Sequence, residues 1–130
     1  MIQTVDLVKT FGSFKALDGL SMHVAKGSVY GLVGPNGAGK STVIRNITGI
    51  YKQDSGVVLI DNEPVWENIA AKQKIAYIPD DIFYFGNYST HDMMKYYKGI
   101  YPQFDTKRFE ALKDAFPTID LKARIRKLSK

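Results

Sequence analysis

Most of the chemistry that the sequence predicts lies in one stretch, Gly34-Pro35-Asn36-Gly37-Ala38-Gly39-Lys40-Ser41-Thr42. This stretch fits the pattern G-x-x-x-x-G-K-[ST] of a phosphate-binding loop. Gly37 and Gly39 allow main-chain angles and close approaches that a β-carbon would block. Successive N–H groups can then point inward, and the helix that follows directs its positive end at the same point. The pattern therefore predicts a site for a nucleoside triphosphate.

Two side chains of this loop have predicted roles of their own. Lys40 supplies a mobile cation for the β- and γ-phosphates and is the candidate catalytic residue, while the Ser41 hydroxyl is placed to bind Mg²⁺. The candidate ligand-binding residues of the loop are Gly34, Asn36, Gly37, Ala38, Gly39, Lys40, Ser41 and Thr42.

The flanks of the loop agree with this interpretation. Residues 28–33 are apolar and rich in β formers, which predicts a buried strand, and residues 41–48 predict a helix that Gly49 stops. Ahead of the loop, residues 2–8 and 20–25 predict two strands, with turns at Gly12-Ser13 and Lys26-Gly27. The loop would thus join a strand to a helix, as the motif requires.

The segment after the helix has two interpretations. Residues 57–60 predict a strand that ends at Asp61, and a strand that ends in Asp can supply a magnesium ligand in phosphate-loop enzymes. Turn signals on both sides, with Pro64 close behind, instead favour a hairpin with Asp61 at its tip. We favour the hairpin and keep the metal ligand as the alternative.

The rest of the chain changes to a helical period. Residues 65–73 predict a short helix and residues 75–78 a strand ended by Pro79. Ser89 and Asp92 resemble a capping box, with Met93, Tyr97 and Ile100 on one face of the helix that follows. Two further helices are expected, capped by Asp105 and by Asp120, with their apolar stripes turned inward. Those stripes are Phe109, Leu112 and Phe116, and then Leu121, Ile125 and Leu128.

Composition limits the class of protein. The length of 130 residues predicts one domain, and the absence of cysteine excludes disulfides and thiolate metal sites. Of the net charge of +5, +4 comes from residues 118–130, so no broad basic face is predicted and no direct nucleic-acid partner is expected. His23 and His91 have no metal-ligand companions. No signal peptide or membrane span is visible, which predicts an intracellular protein.

The order of these elements resembles the nucleotide-binding domain of ABC transporters, especially the bacterial exporter ATPases. The resemblance covers the whole chain but only about the first half of such a domain, and the loop at residues 34–42 is written as that family commonly writes it. It implies an α/β fold, the partial domain of a P-loop NTPase that is truncated before the Walker B strand. Its expected parts are a β-rich N-terminal part, the P-loop strand and helix, and a three-helix subdomain. Residues 1–80 would then be the nucleotide-binding core and residues 81–130 the helical subdomain.

The resemblance also implies roles for three residues outside the loop. Phe11 lies where the family places the aromatic residue that stacks on adenine. Asp80 replaces the family's Q-loop glutamine, near Mg²⁺ and the attacking water, and a carboxylate there could bind the metal but cannot donate a hydrogen bond. Ser129 lies in Leu128-Ser129-Lys130, which is similar to the start of the signature motif with Lys in place of Gly. In the family this serine contacts the γ-phosphate bound to the opposite protomer.

By resemblance, then, the expected function is that of the ATP-binding subunit of an ABC transporter, with ATP and Mg²⁺ as cofactors. The expected partners are a second ATPase protomer and transmembrane permease subunits, the latter docked through residues 80–88, which would hold the protein at the inner face of the cell membrane. Because the catalytic glutamate and switch histidine would lie beyond residue 130, we expect a fragment with negligible ATPase activity alone. The alternatives are a soluble ABC-type ATPase acting on the ribosome or DNA, and a regulatory module that binds nucleotide without turnover.

Overall fold

The computed structural model describes residues 1–80 and 84–127. The chain forms two compact units, an N-terminal unit at Met1–Ile78 and a C-terminal unit at Pro79–Lys130. Within the described residues, no helix is long and apolar enough to cross a membrane.

The N-terminal unit is built on a four-stranded antiparallel sheet. Its strands are β1 (Ile2–Phe11), β2 (Phe14–Val24), β3 (Ser55–Ile60) and β4 (Glu63–Pro64), in the order β2-β1-β3-β4. β1 pairs with β2 through a two-residue turn at Gly12 and Ser13, and with β3 on its other side. The prediction of two antiparallel strands ahead of the loop is confirmed, although both strands are longer than the sequence pattern indicated.

Two helices complete the N-terminal unit, α1 (Lys40–Ile47) and α2 (Ile69–Lys72). α1 begins within the predicted loop, and Thr48 and Gly49 end it, as predicted. α1 contacts β1, β2 and β3 and inserts Val43 into the core of the unit. The buried apolar cluster comprises Leu7, Leu17, Val43, Val58, Ile60 and Val65.

The hairpin interpretation of Asp61 is correct. Asp61 and Asn62 have φ angles of 49° and 67° and form the tight turn between β3 and β4. The Asp61 carboxylate accepts a hydrogen bond from the Met1 ammonium at 2.8 Å and lies 3.7 Å from the Lys74 ammonium. These cations lower the pKa of Asp61, chiefly through the Met1 ammonium group. Asp61 therefore belongs to a surface ion pair.

Two strand predictions are wrong for this chain. Residues 28–33 and 75–78 form no strand among the described residues, and Val29, Val33 and Ile78 are largely exposed. Apolar runs with β propensity become strands only when a neighbouring strand supplies main-chain partners. The sheet formed by β1 to β4 pairs with neither segment, so local composition alone could not decide their structure.

The chain's tryptophan lies close to two basic side chains of the N-terminal unit. The Lys52 and Lys72 ammonium groups lie 5.7 and 5.5 Å from the centroid of the Trp66 ring. Lys72 also donates a hydrogen bond to the Gly49 carbonyl at 3.4 Å, next to the end of α1. Trp66 lies before α2, which is shorter than the predicted helix at residues 65–73 and is capped by the Asn68 side chain.

Over its described residues, 79–80 and 84–127, the C-terminal unit contains two α-helices, α3 (Thr90–Ile100) and α4 (Thr106–Ala115). The capping box at the start of α3 is confirmed, because Ser89 accepts from the Asp92 N–H while Asp92 accepts from the Ser89 N–H. The Asp105 cap of α4 is confirmed as well, through a 3.0 Å hydrogen bond from the Arg108 N–H.

Much of the predicted core of this unit is wrong. Met93 is buried, but the other residues predicted on its face, Tyr97 and Ile100, are exposed, as are Leu112 and Phe116 on α4. The third helix predicted from Asp120 is a turn followed by one 3₁₀ turn at Ile125–Lys127, because Asp120 accepts from the N–H groups just after it instead of starting a helix. Leu128 lies outside the described residues.

Candidate functional site

Two glycines of the predicted phosphate loop adopt main-chain conformations that favour glycine, although the described residues 28–33 directly before the loop form no strand. Gly37 and Gly39 have φ angles of 84° and 83°, in the left-handed region that favours glycine. A β-carbon on Gly39 would also lie 2.7 Å from the Ala16 carbonyl oxygen of β2. Within the loop, the Ala38 N–H donates to the Pro35 carbonyl at 3.3 Å. Glycine is thus favoured at position 37 by its positive φ angle, and at position 39 by both its φ angle and its close approach to β2.

The N-terminus of α1 faces the loop without a side-chain cap. Gly39 occupies the cap position, makes no side-chain hydrogen bond, and is followed by a first turn without acidic residues. The first N–H groups of a helix have no intrahelical acceptor and carry its partial positive charge. The N–H groups of Lys40, Ser41 and Thr42 therefore remain open to an anion.

The Lys40 side chain folds back onto its own loop. Its ammonium group donates hydrogen bonds of 2.7 Å to the carbonyl oxygens of Gly34 and Pro35. The cation is thereby held against the main chain of the loop that the motif assigns to phosphate. A phosphate oxygen entering the loop would offer this ammonium group a charged acceptor in place of neutral ones.

The hydroxyl residues that follow Lys40 differ in exposure. Ser41 is exposed, whereas Thr42 is half-buried and its carbonyl accepts from the Asn46 amide at 2.8 Å. No group of three or more His, Cys, Asp or Glu side chains among the described residues could hold a metal by itself. A magnesium ion that takes one hydroxyl from the protein and its other ligands from phosphate and water fits this arrangement.

Phe11, the predicted adenine-stacking residue, lies at the end of β1 and is 44% exposed. The Phe11 and Tyr51 rings form a T-shaped pair, with centroids 5.4 Å apart and an interplanar angle of 70°. The Lys9 ammonium lies 5.6 Å from the Phe11 centroid. An exposed aromatic ring that is held by neighbouring side chains is suited to stacking on a planar ligand.

Asp54 organises the polar surroundings of Phe11. Its carboxylate accepts from the Thr10 hydroxyl and the Thr10 N–H at 2.6 Å each, and from the Lys9 ammonium at 3.0 Å. The Thr10 hydrogen bonds, together with Lys9, lower the pKa of Asp54 to about 2. Lys9 is thus fixed beside Phe11 by a carboxylate that stays ionised.

Sequence reasoning missed Tyr51, Arg45 and Asp54. Arg45 donates to the Tyr51 hydroxyl at 3.4 Å, and the phenol raises the pKa of Arg45. A single aromatic residue after a helix-stopping glycine gives no signal by itself, because its partner Phe11 is distant in sequence.

The remaining predicted site residues lie elsewhere. Asp80 is exposed and belongs to the C-terminal unit, so its role as a magnesium ligand stays a prediction. Ser129, with the rest of the tripeptide similar to the signature motif, lies outside the described residues, as do Asp81 and Phe83.

Comparison with known proteins agrees with the fold. The sequence profile of the ABC transporter family matches residues 17–130. A solved structure of a nucleotide-free ATP-binding cassette from an ABC transporter superposes with a TM-score of 0.72 at 28% identity, covering 98% of this chain and 58% of that one. The solved structures that resemble this chain are P-loop NTPase domains of the ABC ATPase type. The chain belongs to the ABC transporter family.

Curated relatives match over different lengths. The ribose import ATP-binding protein RbsA of Pseudomonas putida is 59% identical over 58 residues, which is 45% of this chain. The linearmycin resistance ATP-binding protein LnrL of Bacillus subtilis is 34% identical over 102 residues, or 78% of this chain. The chain spans 11% of the length of the first and 33% of the second.

Proposed function

We propose that this chain is the N-terminal part of the ATP-binding subunit of an ABC transporter, and that it binds Mg-ATP at the loop of residues 34–42. The observation that carries the proposal is the uncapped start of α1, combined with the Lys40 ammonium group lying on the same loop. Membership of the ABC transporter family and relatives named as ATP-binding proteins support the same ligand.

Each part of the proposed site acts on a different part of the ligand. The open N–H groups at the start of α1 bind phosphate oxygens, Lys40 neutralises charge on the β- and γ-phosphates, and the Ser41 hydroxyl binds Mg²⁺. Phe11 stacks on the adenine ring. In the longer protein, phosphoryl transfer to water would also need a carboxylate and a positioned water, and Asp80 is a candidate second ligand to the metal.

Calorimetric titration with Mg-ATP tests the proposal. We expect Lys40→Ala to weaken binding by at least about tenfold, since hydrogen bonds to charged groups each contribute about 1.5–3 kcal/mol. Lys15→Ala is the matched control, because Lys15 pairs with Asp18 on the exposed surface of β2. This variant should bind Mg-ATP like the wild type. Absence of binding heat in the wild-type protein would overturn the proposal.

The metal role is tested separately. Ser41→Ala should reduce the difference between ATP affinities with and without Mg²⁺, while leaving metal-free binding nearly unchanged. Asp80→Asn should do the same if its carboxylate contributes to the metal. An unchanged Mg²⁺ dependence in Ser41→Ala would remove this residue from the site.

The domain division and partners follow from the same proposal. Residues 1–80 would form the nucleotide-binding core, and residues 81–130 a helical subdomain in which the segment 80–88 docks to permease subunits at the inner membrane face. Tyr84 and Tyr88 are each 40% exposed there, and tyrosine is enriched at protein interfaces. Tyr84→Ala and Tyr88→Ala should reduce co-purification with the permease without changing Mg-ATP binding. Unchanged co-purification in both variants would exclude this segment as the docking site.

A further inference from the structure

The segment between α1 and β3 is anchored at both ends. At its start, the N–H groups of Ile50 and Tyr51 both donate to the Arg45 carbonyl, at 2.9 and 3.0 Å. At its end, the Asp54 N–H donates to the Val8 carbonyl of β1 at 2.9 Å. The segment therefore links α1, the helix that follows the phosphate loop, to β1, and Tyr51 lies within this link.

The Tyr51 ring is held in one orientation. Arg45 donates to its hydroxyl at 3.4 Å and places its guanidinium group 5.6 Å from the ring centroid. The same ring forms a T-shaped pair with Phe11 and is itself half-buried. Rotation of the Tyr51 ring would weaken contacts to both Arg45 and Phe11.

Phe11 depends on such neighbours because it lies outside the apolar core of the unit. It is exposed at a strand end, and the core cluster does not include it. The Tyr51 ring and the Lys9 ammonium, itself fixed by Asp54, are contacts that orient the Phe11 ring. Aromatic pairs prefer such edge-to-face geometry, and fixing a ring before a ligand arrives reduces the entropy lost on binding.

We propose that Tyr51 is a positioning residue for the nucleobase: it holds Phe11 in the orientation that stacks on the purine ring. This inference rests on the proposed function, in which Phe11 contacts adenine. In this proposal, the contact between Phe11 of β1 and Tyr51, in the segment after α1, makes the protein bind a nucleotide more tightly than a bare polyphosphate. Arg45 supports Tyr51 and has no direct contact with the ligand in this assignment.

The test compares ATP with inorganic tripolyphosphate, which carries the phosphates but no base. We expect Tyr51→Leu to weaken ATP binding about fivefold, the size that one aromatic pair contributes, and to leave tripolyphosphate binding within about twofold of wild type. A merely structural role for Tyr51 would weaken both ligands equally. Equal loss for both, or no loss for ATP, would overturn the inference.

Two further variants keep the result interpretable. Tyr101→Leu removes a tyrosine that is 57% exposed and stacks on Tyr97 in the other unit, and it should leave both affinities unchanged. Tyr51→Phe keeps the ring but removes the hydroxyl that accepts from Arg45, so its ATP affinity should lie between those of wild type and Tyr51→Leu. If Tyr51→Leu does not fold, Arg45→Gln provides the second measurement, and an ATP to tripolyphosphate affinity ratio equal to that of wild type would overturn the inference.

A third measurement uses Phe11 itself. Phe11→Leu should weaken ATP binding, and adding Tyr51→Leu to it should cause little further loss, because both changes remove the same stacking geometry. Additive losses would contradict the proposal. A wild-type protein that binds neither ATP nor tripolyphosphate would instead overturn the proposed function, so the two failures are distinguishable.

Discussion

The two units of this chain are stabilised in different ways. In the described part of the chain, the N-terminal unit buries seven apolar side chains, at Leu7, Leu17, Val43, Val58, Ile60, Val65 and Ala71, whereas the C-terminal unit buries Met93. α4 has no buried residue at all. The C-terminal unit depends instead on helix caps and on aromatic contacts around Phe85, Tyr96 and Tyr97.

Because of this difference, the position of the phosphate loop does not depend on how well the helices of the C-terminal unit are packed. The phosphate loop begins α1, and Val43 of α1 lies in the buried cluster, so the loop geometry is supported by packing inside its own unit. The C-terminal unit exposes Tyr97, Ile100, Leu112 and Phe116, so little apolar surface has been removed from water there. We expect local substitutions to have large effects in the first unit and small effects in the second.

The largest effect should follow from Leu7→Ala. Leu7 is fully buried in β1, and truncation of a buried leucine costs about 3 kcal/mol through lost burial and the cavity left behind. Hydrogen exchange measured by segment should show faster exchange in β1, β2 and β3. Leu112→Ala, on an exposed face of α4, should change exchange little in either unit. A comparable loss of protection from hydrogen exchange in both variants would contradict the proposed difference between the units.

Two glycine substitutions should change the free energy of unfolding in opposite directions. Gly39→Ala places a β-carbon against the Ala16 carbonyl at a φ of 83°, and we expect destabilisation of about 2 kcal/mol. Gly99→Ala lies in α3 with open space around it and should stabilise that helix by about 0.5–1 kcal/mol. Urea denaturation followed by circular dichroism measures both. Stabilisation by Gly39→Ala would show that the loop does not need its left-handed turn.

The capping box of α3 should contribute a smaller amount. Ser89→Ala removes the acceptor for the Asp92 N–H, at a typical cost of about 1 kcal/mol. Exchange in α3 should become faster while exchange in β1 stays at its wild-type rate. Ser89→Asn, which restores a capping side chain, should recover most of the loss. If β1 were affected as much as α3, the two units would not be independent in stability.

The smallest effect concerns the Asp54 carboxylate. Its pKa of about 2 lies below the ordinary value of about 3.9, so its stabilising contribution is complete above about pH 4 and is lost as the pH falls toward 2. The wild type should therefore lose more stability than Asp54→Asn over this interval, as measured by the urea midpoint at each pH. Parallel curves for the two proteins would contradict the assignment.

Features with a local cause could be predicted from the sequence. The loop, the start and end of α1, and the caps at Ser89 and Asp105 all depend on residues within a few positions of one another. The hairpin at Asp61 was predictable for the same reason, since its turn residues lie between two short β-forming runs.

Features that depend on distant partners could not be predicted. Residues 28–33 have strand composition, but pairing is decided by a neighbour elsewhere in the chain. The contact of Tyr51 with Phe11 joins residues that no motif connects. On α3, helical period placed Met93 and Ile100 on one face, but only contact with another element buries such a face.

The position of Trp66 beside Lys52 and Lys72 has a practical consequence. The chain has one tryptophan, and it lies in the N-terminal unit near the end of α1. Indole fluorescence excited at the red edge of protein absorption will therefore report on the folding of the N-terminal unit and not on the tyrosine-rich C-terminal unit. Trp66 fluorescence can then be used to follow the unfolding of the sheet separately, without an added label.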